Sequence, residues 1–407
     1  LDLYDPDRSQ VIQKQGSIRA WGEFLQEIRS FVETQRASRG SGIRILTRAT
    51  SSPTLTHEIR KFLDEFPEAK WIAFEAVNRD AVYAGTRLAF GQPLEPVYRF
   101  ADADIVAAFD CDFMFAEPGA LRYACDFAAR RNVFENPRGL NRFYAAEPMP
   151  SCTATLADHR LPVTAARVGI LVRGLAKLIG LPVEVPALQP AEQRWLEALA
   201  EDLKDHRGAG LVVAGQQQPA EVHALAHAIN HALDNLGKTV AYMPPVLSSP
   251  SNHYEQLEQL AKDADAGKVQ LLIVLDANPV AEAPAELKLA ERFEKIAMRV
   301  HCGTHFDETA EACVWHVPAA HYLESWGDGR AYDGTLSLRQ PLIAPLYGGK
   351  PTLELVAALR GALGQTAYDL VRTYWRENSG AADFEAWWRS ALHDGFVRDS
   401  APAPQSV

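Results

Sequence analysis

IRILTRATSSPTLTHEIRKFLDEFPEAKWIAFEAV, residues 43–77, holds the grammar of the whole chain in one stretch. The apolar run 43–47 reads as a short buried strand, and 48–54 as a polar loop. Residues 55–66 have helical spacing, and 71–77 read as a second strand. Strand, polar loop, helix and strand in that order build a parallel sheet. The pattern continues with a helix near 81–90 and a third strand, DIVAAF, at 104–109. It returns over 208–350, with strands at 210–214, 238–243, 270–275 and 297–301 and helices at 220–233 and 286–293. The expectation is an α/β protein with two successive Rossmann-like open parallel sheets and flanking helices. Residues 1–160 form the first domain on this reading and 161–350 the second. Residues 351–407 supply helices at 353–363 and 367–389 that pack back on the first domain, and then a polar tail.

Outside this grammar lie three segments. Ile18, Trp21, Leu25, Ile28 and Val32 recur at helical spacing and predict an amphipathic helix. Residues 141–162 are irregular and read as a crossing between domains, followed by helical sequence over 166–206. Residues 314–349, VWHVPAAHYLESWGDGRAYDGTLSLRQPLIAPLYGG with its Trp, His and Pro, show no clear period and read as a long ordered loop.

Composition excludes several classes. The 407 residues carry a net charge of -11, which opposes a nucleic-acid backbone binder, although Arg130, Arg131, Arg138 and Arg142 lie close together. The five cysteines are scattered, which suits neither a disulfide framework nor the tight spacing of an iron–sulfur ladder. No run of about 18 apolar residues predicts a membrane span. The chain begins at Leu1 rather than Met, and is expected to be a processed or excised piece of a longer protein.

Candidate sites follow from the sheet grammar, because open α/β sheets bind ligands beyond the carboxyl ends of their strands. The loops 48–54 and 110–119 sit there, but neither contains GxGxxG. GQQQP, from Gly215 through Gln218 to Pro219, precedes a helix whose free N–H groups suit a phosphate. DANP, including Asn278 and Pro279, ends a nearby strand. Ordinary βα turns are the plain alternative. Cys302, His305, Cys313 and His316 read C-x2-H-x7-C-x2-H, a pairing that suits zinc. A domain with its own core has no need of a structural metal, and buried cysteines packing as small apolar groups are the alternative. His223, His227 and His231 share one helix face without the HExxH pattern, which favours a polar face. Nucleophile-elbow and Walker motifs are absent.

Several stretches together resemble the molybdopterin-oxidoreductase-like subunit of alternative complex III. They are LDLYDPDRSQ at the start, PGALRYACDFAARR at 118–131, NRFYAAEPMPSCTATLADHRLP at 141–162, GQQQPAEVHALAHAINHALDNLGKTVAYM at 215–243, DANPVAEAPAELKLAE at 276–291, and 314–349. That family is related to the molybdopterin guanine dinucleotide oxidoreductases such as dimethyl sulfoxide and polysulfide reductases. The resemblance implies two Rossmann-like central domains cradling a dinucleotide-type pterin. Gly215, Gln218, Pro219, Asn278, Pro279, Trp326 and Asp328 would fall at a vestigial crevice. It also implies that the molybdenum cofactor has been lost, with no catalytic residue and no metal in this chain. Iron–sulfur clusters would lie in a ferredoxin-like part outside this sequence. The expected partners are that part and other subunits of a membrane-bound quinol:cytochrome c oxidoreductase, on the periplasmic face of the cytoplasmic membrane. A fragment of a genuine pterin-dependent oxidoreductase and a zinc-stabilised module are the competing readings.

Overall fold

The computed structural model describes residues 2–135, 139–248 and 252–407. Arg138 of the arginine cluster lies outside them. The chain divides into two compact units.

The first unit comprises residues 1–78, 247–331 and 335–400. Its core is a sheet whose parallel part runs Trp315–Pro318, Met298–Gly303, Leu271–Leu275, Ile43–Thr47 and Lys70–Ala73, in that spatial order. The two-residue strands Gln13–Lys14 and Ser17–Ile18 extend it antiparallel at one edge. The central strands IRILT and LLIVL are buried at every position. Such unbroken apolar runs suit parallel strands covered on both faces. One face packs on the helix Trp21–Thr34, through Phe24, Ile28 and Val32, and on Pro53–Glu65 and Thr352–Leu359. The other packs on His253–Asp265 and the segment Leu289–Phe293. A separate hairpin, Gly327–Arg330 with Leu336–Arg339, packs with the helices Ala367–Asn378 and Phe384–Asp394.

The second unit comprises residues 79–246, 332–334 and 401–407. Its larger sheet is fully parallel, in the order His159–Pro162, Arg142–Glu147, Ile105–Phe109, Gly210–Ala214, whereas the expected strand 238–243 forms, as Val240–Met243, a separate antiparallel pair with Glu95–Tyr98. The helices Ala165–Ile179, Pro190–Asp205 and Ala220–Ala232 cover one face. An aromatic cluster of Phe100, Phe113, Tyr123, Phe127 and Phe143 fills the other.

The α/β class with parallel sheets and flanking helices is as expected. The observed units differ from the spans 1–160 and 161–350. Ile43–Thr47 pairs in register with Leu271–Leu275, and Ile105–Phe109 with Gly210–Ala214. Each sheet therefore takes strands from both expected spans. Residues 314–349 are not one loop: they contribute the sheet strand Trp315–Pro318 and both strands of the hairpin. Residues 141–162 hold two strands rather than a crossing. The expected helix 367–389 is two helices, separated after Asn378 by a turn containing Gly380 at positive φ.

Candidate functional site

The carboxyl ends of the first unit's parallel strands open onto a cavity of about 820 Å³. The loop after Ile43–Thr47 supplies Arg48 to Ser52, and the turn after Leu271–Leu275 supplies Asp276 and Asn278. Met298–Gly303 supplies His301, and the hairpin region Trp326, Asp328 and Arg339. This is where an open parallel sheet places ligands.

Asp276 follows the last strand residue and takes a left-handed backbone, φ +53°, a conformation that Asp tolerates better than most residues. Its N–H donates to the Cys302 carbonyl across the strand ends. Its carboxyl accepts from Thr352 Oγ1 at 2.6 Å. Burial pushes that carboxyl above the usual carboxylate range, against the pull of Thr352, Arg339 and Arg48. Arg48 donates Nε to the Asp276 carbonyl and Nη2 to Glu282, both at 2.8 Å. The Arg339 guanidinium lies over Gly327, where a Cβ would overlap it. Burial pulls this guanidinium below its usual range.

His301 and His316 stand in register on adjacent strands. Their Nδ1 atoms are 3.0 Å apart, and His316 Nε2 meets Ser9 Oγ at 2.7 Å. One ring must donate and the other accept, so at least one of the two must stay neutral. Burial depresses His301 to about 4 and His316 to about 3, the latter also opposed by His301.

The sequence candidates separate into two groups. Asn278, Trp326 and Asp328 line this cavity. Asn278 is committed internally, donating to Glu308 at 2.7 Å and accepting from the Thr309 hydroxyl at 2.7 Å. Asp328 accepts from Ser52 Oγ, from the N–H and hydroxyl of Thr54, and from Trp375 Nε1. Trp326 stacks on Trp388 and meets Tyr368 edge-on. Pro279 is buried at the start of the helix Pro279–Glu282. Gly215, Gln218 and Pro219 belong to the second unit. There, a Cβ on Gly215 would overlap the Asp110 carbonyl, and Gln218 Nε2 donates to the Asp110 carboxylate at 2.8 Å. Pro219 precedes the helix Ala220–Ala232 as its cap residue. GQQQP therefore brings one strand end close to Asp110, itself at φ +50°.

Arg339, His301 and Thr352 were missed from sequence. The alternation Leu336, Ser337, Leu338, Arg339 could have marked Arg339 as part of a half-buried strand. Nothing local marked Thr352. The proposed zinc ligands are not assembled: among the described residues, no group of three or more His, Cys, Asp or Glu is arranged to hold a metal ion. His223 and His227 are buried and His231 is exposed. His227 Nδ1 meets the Tyr242 hydroxyl at 2.9 Å, so part of this face is interior.

A pterin dinucleotide brings a diphosphate, which needs cationic or N–H donors. The cavity lining sets five carboxylates (Asp2, Asp276, Glu282, Asp307, Asp328) against two guanidiniums (Arg48, Arg339). Arg48 is already ion-paired with Glu282. The side chains of this cavity thus present more carboxylates than guanidiniums.

No family model matches the chain. The menaquinone reductase, molybdopterin-binding-like subunit of Nitratidesulfovibrio vulgaris Hildenborough is 25% identical over 311 residues, covering 66% of this chain and 44% of that protein. The chain thus spans less than half of this curated relative. Among solved structures, acetylene hydratase from Pelobacter acetylenicus is similar, with a TM-score of 0.66 at 12% identity, over 88% of this chain and 62% of that one. No described helix is long and apolar enough to cross a membrane. The structural likeness shows that this chain has the molybdopterin oxidoreductase fold.

Proposed function

We propose that the chain is the central body of a molybdopterin-oxidoreductase-like subunit in a quinol-oxidising electron-transfer complex of the alternative complex III type. On this reading it binds no pterin and acts as a scaffold for a ferredoxin-like iron–sulfur part and neighbouring subunits, on the periplasmic face of the cytoplasmic membrane. The sequence likeness to a menaquinone reductase subunit supports the quinone-linked setting. The observation that carries the pterin-free reading is the surplus of carboxylates over guanidiniums around the cavity. Asp328 and Asn278 also spend their polar atoms on the fold.

A second reading, a fragment of a working pterin-dependent oxidoreductase, is favoured by one feature. A cavity of about 820 Å³ remains at the carboxyl edge, room enough for part of a dinucleotide. Equilibrium titration of the purified chain with GDP, a diphosphate-bearing probe, distinguishes the two. The scaffold reading expects no saturable binding. Saturable binding lost in Arg339→Gln would favour the second.

A further inference from the structure

Ser9 joins the two strand histidines from a separate segment of the first unit. Its N–H donates to the Thr304 carbonyl at 2.8 Å, and Arg8 bridges to His305 beside it. Three side chains then meet in line. Ser9 Oγ lies 2.7 Å from His316 Nε2, and His316 Nδ1 lies 3.0 Å from His301 Nδ1. Gly303 leaves room for the His301 ring, because a Cβ there would come within 2.5 Å of its Cε1.

The direction of these bonds is set at the far end. The Ala277 main chain hydrogen-bonds the His301 ring. With Nδ1 turned to His316, this bond falls to Nε2, from which Asp307 Oδ2 lies 3.7 Å. Carbonyl and carboxylate are both acceptors, so His301 carries its proton on Nε2 and presents Nδ1 as a lone pair. His316 therefore donates from Nδ1, and its Nε2 lone pair receives the Ser9 hydroxyl proton. A nucleophile, a base and a group that orients the base, each within hydrogen-bond reach of the next, is the arrangement that activates a serine.

We propose that Ser9 is a nucleophile that takes an acyl or phosphonyl group, with His316 as its base and His301 as the residue positioning that base. With an ester, Ser9 Oγ bonds to the carbonyl carbon while its proton passes to His316 Nε2. The ester C–O bond then breaks and the proton goes to the departing alkoxide, leaving acyl-Ser9 and a free alcohol. Ser9 spends its own N–H on Thr304, and the orienting group is an imidazole rather than a carboxylate. Both features weaken stabilisation of the transition state, so slow transfer from activated esters is the reactivity supported. Asp5 and Asp7, near Ser9 in the chain, disfavour an anionic acyl group. Phe306 meets His316 edge-on at 5.2 Å and is 48% exposed, an apolar surface beside the base. This chemistry is independent of whether the cavity takes a pterin.

The test is labelling of the purified chain with an uncharged alkyl fluorophosphonate, in which fluoride leaves and Ser9 keeps the phosphonyl group. Peptide mass spectrometry locates the label and gives its rate. The folded chain should be labelled at Ser9 and the urea-unfolded chain should not. His316→Gln should lower the rate at least about tenfold. His301→Asn keeps an acceptor near the Nδ1 position and should stay within about threefold of native, whereas His301→Leu should fall about tenfold. The comparison of folded with unfolded native chain needs no variant, so it decides even where a substitution unfolds the protein. No label on Ser9 in the folded chain, or equal labelling in the unfolded chain, would overturn the assignment. So would an unchanged rate in His316→Gln, or equal losses in His301→Asn and His301→Leu.

Discussion

Asp328 accepts the indole N–H of Trp375 at 2.8 Å inside the first unit. The same carboxylate accepts the Ser52 hydroxyl at 2.5 Å and both the N–H and hydroxyl of Thr54. Ser52 caps the helix Pro53–Glu65 by accepting from Leu55 N. One acid thus ties a hairpin strand, a helix start and the helix Ala367–Asn378. Asp328→Asn places an amide N–H₂ against donors, leaving buried donors unsatisfied. It should cost about 2–4 kcal/mol in chemical denaturation. Trp375→Phe, which removes one donor, should cost about 1–2 kcal/mol. A near-neutral Asp328→Asn would mean that the carboxylate is free to meet a ligand.

The buried Arg8–Glu324 pair should behave like other desolvated ion pairs. Glu324→Gln should cost about 3–5 kcal/mol, because it strands a buried guanidinium. A double-mutant cycle with Arg8→Met should recover much of that loss. Strict additivity of the two single effects would show that the groups do not interact.

Gly215 should resist substitution for a backbone reason. Its missing Cβ is the space filled by the Asp110 carbonyl. Gly215→Ala should destabilise the chain by at least about 2 kcal/mol, as strain and overlap do at close-packed backbone. A tolerated alanine would return GQQQP to the class of ordinary, adaptable turns.

The His301–His316 pair sets an acid sensitivity. Both folded values lie below the ordinary histidine value, at about 4 and about 3. The fold therefore favours the uncharged rings, and the unfolded chain takes up protons first as pH falls. Their contribution is intact above about pH 6.5 and declines as pH drops from there towards 4. Between pH 6.5 and 5 the loss should approach about 1–2 kcal/mol per histidine. In His316→Gln, urea midpoints measured across this range should fall less steeply with acid than those of the native chain. Parallel curves would contradict the assignment.

Much of the architecture was readable from apolar runs. IRILT, IVAAF, GLVVA and LLIVL announced buried parallel strands, and the helix 220–233 matches Ala220–Ala232. Which strands pair was not readable, because Ile43–Thr47 and Leu271–Leu275 meet across more than half of the chain. The strand GDGR has a composition that opposes strand formation, so its pairing with LSLR was hidden. The candidate site was half visible. Asn278, Trp326 and Asp328 do line one cavity, but residue type could not tell that their polar atoms are spent internally. One signal was overlooked: an Asp directly after one inner strand of each sheet, Asp110 and Asp276, both with positive φ.

A pterin-free state is what we propose for this fold. Its most direct test is molybdenum and tungsten analysis, paired with release of guanine nucleotide by acid hydrolysis, on the intact subunit isolated from its own membranes. Neither metal nor guanine nucleotide should be found in stoichiometric amount. One molybdenum or tungsten per subunit, accompanied by guanine nucleotide, would contradict it.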